Sequence, residues 1–181
     1  KKMNEESPFA TNFILHWGEM GTKWGVNRTV AQIHALLFIS EEPLNAEDIC
    51  NRLGVARSNV SNSLKELQNW GIVNVVHLSG DRRDHFESVK DVYELFRIIV
   101  TERKKREIDP TLRNLRKSAE EAGQANDPND SYAKGQLEEL LRFFEMISDF
   151  YNQMDKMPTK SAVKMIGMGD KIAKTLGDFG K

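Results

Sequence analysis

Apolar residues recur at helical spacing along most of this chain and alternate like a strand only near its middle. Phe9, Phe13, Trp17 and Met20, with Ile14 and Trp24 nearby, predict a helix over residues 8–21. Gly21, Gly25 and Asn27 mark a loop after it. Val30, Ile33, Leu36 and Leu37 share one face of a second helix, 28–40, which Glu42-Pro43 ends. In LNAEDICNRLG, Asn45 is a good N-cap, with Asp48 three residues on as a near capping box and Leu44 and Ile49 at the flanking staple positions. Ala46, Ile49, Cys50 and Leu53 face one way, and Gly54 supplies a left-handed turn. Residues 57–70 form a further helix with an apolar seam of Val60, Leu64 and Leu67, capped by Gly71. IVNVVHL (72–78) is β-branched and strand-like, SGDRRD (79–84) is a turn, and 85–89 pairs back as a hairpin.

The remainder is helical again. Val92, Leu95, Phe96, Ile99, Ile108, Leu112 and Leu115 carry the period over 91–122, interrupted at Asp109-Pro110 by a kink or by a new helix start. GQANDPND (123–130) reads as a loop. Residues 131–157 form a strong amphipathic helix, with Leu137, Leu140, Leu141, Phe144, Ile147, Tyr151 and Met154 aligned, and Pro158 stops it. A last helix is expected over 159–176, with Ala162, Met165, Ile166, Ile172, Ala173 and Leu176. Three helices followed by a hairpin form a winged helix-turn-helix. The expected class is therefore mainly α with a small β-hairpin, the winged domain being flanked by long dimerisation helices. The division reads 1–27 as an N-terminal dimerisation helix, 28–90 as the winged domain and 91–181 as a helical dimerisation and regulatory region. Amphipathic helices surplus to so small a domain suggest a homodimer, because one copy cannot easily cover them.

Composition narrows the class. The chain has 181 residues, enough for a sizeable core in one large domain or two small ones. A single cysteine, Cys50, cannot form an internal disulfide, no apolar run reaches membrane-helix length, and no segment has signal-peptide order, so a cytoplasmic location is expected. Net charge is -1, which by itself gives no support to nucleic-acid binding. Its distribution is uneven: Arg103, Lys104, Lys105, Arg106, Arg113, Arg116 and Lys117 crowd one stretch, while 127–145 leans acidic.

The helix over 57–70 holds the most informative chemistry. With Val60, Leu64 and Leu67 turned inward, Arg57, Ser58, Asn59, Ser61, Asn62 and Lys65 project outward. A face exposed only to water usually carries Glu, Lys and Gln, because Ser and Asn are poorer helix formers. Asn pairs bidentately with adenine, and short hydroxyls let a helix sit deep in a major groove. No acid precedes Glu66, as proximity to phosphate requires. Arg82 and Arg83 at the hairpin tip suit the minor groove or phosphate, with Asp81 and Asp84 offsetting them locally.

Other candidates read more plainly as structure. ERKKRE (102–107) is a solvated face with an internal Glu102–Arg106 pair rather than a DNA flank. Cys50 is a structural residue on the inward face of its helix, not a redox switch. His16, His34, His77 and His85 lack ligand spacing, so no metal is expected, although His77 and His85 are placed to face one another across the hairpin. Trp17, Trp24, Phe38, Tyr93, Phe96, Phe144 and Tyr151 could cage a quaternary ammonium ion, but nearly all of them also fit ordinary core and dimer packing. No Gly-rich phosphate loop, HExxH or nucleophile elbow is present, so neither a cofactor nor an enzyme is expected.

NRTVAQIHALLFIS, LNAEDICNRLGVARSNVSNSLKELQNWGIVNVVHLSGDRRDHFE and ERKKREIDPTLRNL resemble the GbsR branch of the MarR-type transcriptional regulators. The resemblance covers roughly residues 18–115. Its specificity rests on the ordered set LKELQNWGIV, SGDRRDHFE and ERKKREIDPTL. It implies a cytosolic homodimer that binds double-stranded operator DNA through recognition helix and wing. It also implies control of genes, often for osmoprotectant handling, by a small-molecule effector. A two-fold dimer implies a pseudo-palindromic operator with half-sites about one helical turn apart. Members usually carry Ser where this chain has Ala56, so the recognition helix lacks a capping hydroxyl unless Ser58 serves instead. The alternative reading is a winged-helix protein-interaction module without sequence-specific DNA binding.

Overall fold

Ser7 starts the first helix: its side chain accepts from the Ala10 amide at 3.4 Å, and Pro8 stands where a missing N–H costs nothing. The structure, a computed structural model, describes residues 7–124 and 131–169. It divides into two compact units, Lys1–Ile98 and Ile99–Lys181.

In the first unit, α1 (Pro8–Lys23) packs on α2 (Arg28–Ile39). Two glycines permit the approach. A Cβ on Gly21 would lie 2.5 Å from Ala31 Cβ, and one on Gly18 would lie 2.6 Å from Gln32 Cγ. The second helix buries Val30, Ala31, Ile33, His34, Ala35, Leu36 and Leu37, nearly its whole circumference, because α1 and the winged elements surround it. Its C-terminal carbonyls are satisfied from far along the chain. Lys90 Nζ donates to Leu37 O at 2.7 Å, Phe38 O at 3.0 Å and Ser40 O at 2.5 Å, where the helix dipole favours a cation.

Next come β1 (Leu44–Asn45), α3 (Ala46–Leu53), α4 (Arg57–Asn69), β2 (Val73–His77) and β3 (Asp84–Ser88). The sheet order is β1-β3-β2, antiparallel throughout, rather than the two-stranded hairpin expected. The third strand is two residues long and therefore has no period to read. Asn45 serves it twice. Its backbone lies opposite His85, while its side chain accepts from the Glu47 and Asp48 amides at 2.9 and 3.0 Å and donates to Asp48 Oδ2 at 2.7 Å. The two hairpin histidines do not face one another. The register sets His77 against Asp84 and His85 against Val76. His77 lies 3.8 Å from the Asp84 carboxylate, and the His85 ring is buried instead. Ile14, Ile33, Leu36, Leu37, Ile49, Val60, Leu67, Ile72 and Val73 form the buried centre. Each contributes on the order of 1.5–3 kcal/mol by leaving water.

Asp91 Oδ1 caps α5 (Val92–Arg103), accepting from the Tyr93 and Glu94 amides, both at 2.9 Å. A π-helical turn, Lys104–Ile108, separates α5 from α6 (Asp109–Gln124). The Asp109 amide reaches back five residues to Lys104 O. Pro110 explains the lengthened turn: it has no N–H to donate, and its ring crowds the carbonyl four residues earlier. Glu102 accepts from Lys105 at 2.7 Å, while Arg103 meets Glu107 at 3.1 Å and Lys104 meets Asp109 at 2.7 Å. In the second unit, α7 (Ser131–Lys156) packs on α6, and α8 (Thr159–Gly167) follows Pro158. Residues 125–130 of the expected loop, and Ile172, Ala173 and Leu176 of the expected last helix, lie outside the described residues.

Candidate nucleic-acid interface

α3 and α4 meet at Gly54, which takes the left-handed conformation (φ 66°, ψ 27°). α4 buries Val60, Leu64 and Leu67 as expected, and also Ser63, which is small enough to lie within that seam. A Schellman turn ends it. The Gly71 amide (φ 77°) bonds to Gln68 O at 2.9 Å, and the Ile72 amide bonds to Leu67 O at 3.2 Å. Leu67 and Ile72 are both buried, which fixes where the chain leaves the helix for β2.

The opposite side of α4 is open. Arg57, Ser58, Asn59, Ser61, Asn62 and Lys65 are all exposed, and no side chain of the six forms a hydrogen bond or ion pair among the described residues. Two amides, two hydroxyls and two cations thus share one face with no carboxylate on it. Ala56 holds the extended N-cap conformation (φ −68°, ψ 146°), yet no side chain among the described residues accepts from the first-turn amides, so Ser58 does not take over the cap.

The two wing arginines differ. Arg82 is exposed and makes no hydrogen bond or ion pair among the described residues. Arg83 is clamped to Asp81, donating Nε at 3.0 Å and Nη2 at 2.6 Å, while its backbone amide bonds to Asp81 Oδ1 at 3.0 Å. Its Nη1 also lies 3.8 Å from Glu47 Oε2 on α3. These bonds hold the Asp81 carboxyl well below the usual carboxylate range and raise the Arg83 guanidinium. Beneath them, His85 bonds through Nδ1 to Arg83 O at 3.0 Å and brings Nε2 within 3.5 Å of Asp81 Oδ2. The wing is therefore braced against the helix-turn-helix. Sequence reading found both arginines but missed Glu47 and His85 as their supports. The spacing of Asp81 and Arg83 was a usable signal for the near contact, but nothing in sequence links position 83 to position 47.

The aromatic candidates fall in different places. Trp17, Trp24 and Phe38 gather near His34, with ring centroids 6.1 Å apart for Trp17–His34 and for His34–Phe38, and 6.2 Å for Trp17–Trp24. Tyr93 and Phe96 stand exposed on α5, and Phe144 and Tyr151 lie half-buried on α7. Trp17 Nε1 donates to His34 Nδ1 at 3.2 Å, and Nε2 of that buried ring has no partner among the described residues. Burial, with the Lys90 charge second, pushes the His34 imidazole down to about 4. Cys50 is a half-buried free thiol on α3.

Comparison with known proteins agrees with this geometry. Residues 24–84 match the model of the MarR family. The chain is 20% identical over 147 residues to YvaV of Bacillus subtilis (strain 168), provisionally named an HTH-type transcriptional regulator; the match covers 81% of this chain and 83% of that protein. A crystal structure described as that of a transcriptional regulator superposes with a TM-score of 0.57 at 17% identity, covering 83% of this chain and 100% of the other. That last likeness concerns the fold. No helix among the described residues is long and apolar enough to cross a membrane. Residues 24–84 are thus similar to the helix-turn-helix domain of the MarR family, and the fold is mostly helical with a small three-stranded antiparallel sheet.

Proposed function

We propose that this protein is a sequence-specific DNA-binding transcriptional regulator of the GbsR type that acts as a cytoplasmic homodimer and responds to a small-molecule effector. The observation that carries the reading is the exposed face of α4. Among the described residues, the side chains of Arg57, Ser58, Asn59, Ser61, Asn62 and Lys65 have no hydrogen-bond or ion-pair partners, and none carries negative charge. In the proposed complex α4 enters the major groove. Asn59 and Asn62 read base edges, and Arg57, Lys65 and the uncapped first-turn amides meet phosphate. Arg82 reaches the backbone or minor groove beside it, and Arg83, braced by Asp81, supports the wing tip. The effector biases one of two arrangements of the paired domains, which requires different affinities for the two. The reading assigns no catalytic step, metal or cofactor.

A binding selection on random double-stranded DNA tests it. The expected product is a pseudo-palindrome with half-sites roughly 34–36 Å apart. Asn59→Ala with Asn62→Ala should abolish the enrichment while leaving the circular dichroism spectrum unchanged. No enrichment by the wild type, or enrichment indifferent to the double substitution, would leave a winged protein-interaction module instead.

A further inference from the structure

Backbone pairing between the wing and the helix-turn-helix stops short of the wing tip. The β1–β3 ladder holds two residue pairs, Leu44 with Phe86 and Asn45 with His85. Beyond Asn45 the chain turns into α3, so no strand remains to continue the ladder. Side chains take over at the next step of the same register. Two residues after Asn45 and two before His85, Glu47 Oε2 lies 3.8 Å from Arg83 Nη1. An ion pair this exposed ordinarily contributes little, because two long side chains lose freedom to make it. Here Arg83 has lost that freedom already. Asp81 holds its Nε, its Nη2 and its backbone amide, and His85 holds its carbonyl. Asp48, the other acid in the first turn of α3, accepts from Asn45 Nδ2 instead. Glu47 therefore joins α3 to the guanidinium nitrogen that Asp81 leaves over.

We infer that Glu47 is a positioning residue that sets DNA specificity: through Arg83 it fixes the offset between α4 and the wing tip. The inference rests on the proposed DNA-binding function and adds a residue to it. α3 connects the two contacts. Its first turn holds Arg83, and its C-terminus passes through Gly54 into α4. With the wing pinned, Arg82 meets the duplex at a set distance from Asn59 and Asn62. Groove width varies with sequence, so a contact at a fixed offset favours some flanking base pairs over others without touching their edges. A wing free to follow the groove fits most flanks equally. Glu47 makes no DNA contact in this scheme, because phosphate repels a carboxylate.

The selection on random double-stranded DNA, repeated with full-length Glu47→Gln and Glu47→Lys, tests this. Base preference at the half-site positions read by α4 should persist. Preference at the flanking positions should fall about threefold for Glu47→Gln, the scale of one surface ion pair. It should fall further for Glu47→Lys, which repels Arg83, even though the added cation tightens binding to all sequences. Because Glu47 acts through Arg83, adding Glu47→Gln to Arg83→Ala should change nothing more. Circular dichroism checks that each variant folds. Unchanged flank preference, an equal loss at half-site and flanks, or a further loss in the Arg83→Ala background overturns the inference while the DNA-binding function stands. No enrichment by the wild type overturns both.

Discussion

Ala56 and the two wing arginines show how much one side chain decides at the surface of α4. Ala56 already holds the backbone of an N-cap but offers no acceptor. Ala56→Ser should raise stability by about 1 kcal/mol and the melting temperature by several degrees, read by thermal denaturation. If the first turn instead relies on phosphate, the gain should shrink when both proteins are melted bound to operator DNA. Arg82 and Arg83 are adjacent but held differently, and their substitutions should differ in kind. Arg82→Ala should weaken DNA binding similarly on all sequences and lower the salt slope by about one, as loss of a single phosphate contact does. Arg83→Ala releases Asp81 and Glu47 from their shared partner and should disorder the wing tip, visible as faster amide exchange over residues 78–84 even without DNA. Equal exchange in the two variants would argue against the brace.

At the scale of elements, the fit of α1 against α2 depends on the absence of side chains. Gly21→Ala would drive a methyl to 2.5 Å from Ala31 Cβ, so the helices must separate. A cost of roughly 1–3 kcal/mol is expected, with increased exchange across α1 as the readout. A neutral result would mean that α1 slides freely on α2. The capping of α3 was legible because Asn45 and Asp48 lie three residues apart, a purely local relation. The π-helical turn before α6 was half legible. Asp109-Pro110 announced an interruption, but a kink, a new helix and a widened turn all answer a missing N–H, and neighbouring helices choose among them. β1 was not legible, because two residues hold no pattern until β3 lies beside them.

At the scale of the whole first unit, His34 links packing to pH. Unfolded, its imidazole takes a proton with an ordinary pKa near 6.5; folded, it does so only near 4, because it is buried against Trp17 and close to the Lys90 charge. Above pH 6.5 neither state binds the proton, and stability is independent of this group. As pH falls from 6.5 to 4 only the unfolded chain gains it, so stability should drop by roughly 3 kcal/mol. His34→Leu should flatten that part of the profile in urea denaturation followed across pH. An unchanged slope would place the acid sensitivity elsewhere.

The sequence by itself determined most of the helices, the caps at Asn45, Gly54 and Gly71, the hairpin and the open face of α4, because each follows from residues within a few positions of one another. Periodicity shows which face of a helix is apolar, and the choice of Ser and Asn on the other face marks α4 as unlike a merely solvated helix. Only the tertiary structure decided what those faces meet. It placed Lys90 under the end of α2, Glu47 against Arg83, His34 in the core and Leu140, Phe143 and Phe150 outside it. Such contacts join residues far apart in the chain through packing, and no local pattern encodes which distant partner fills the space.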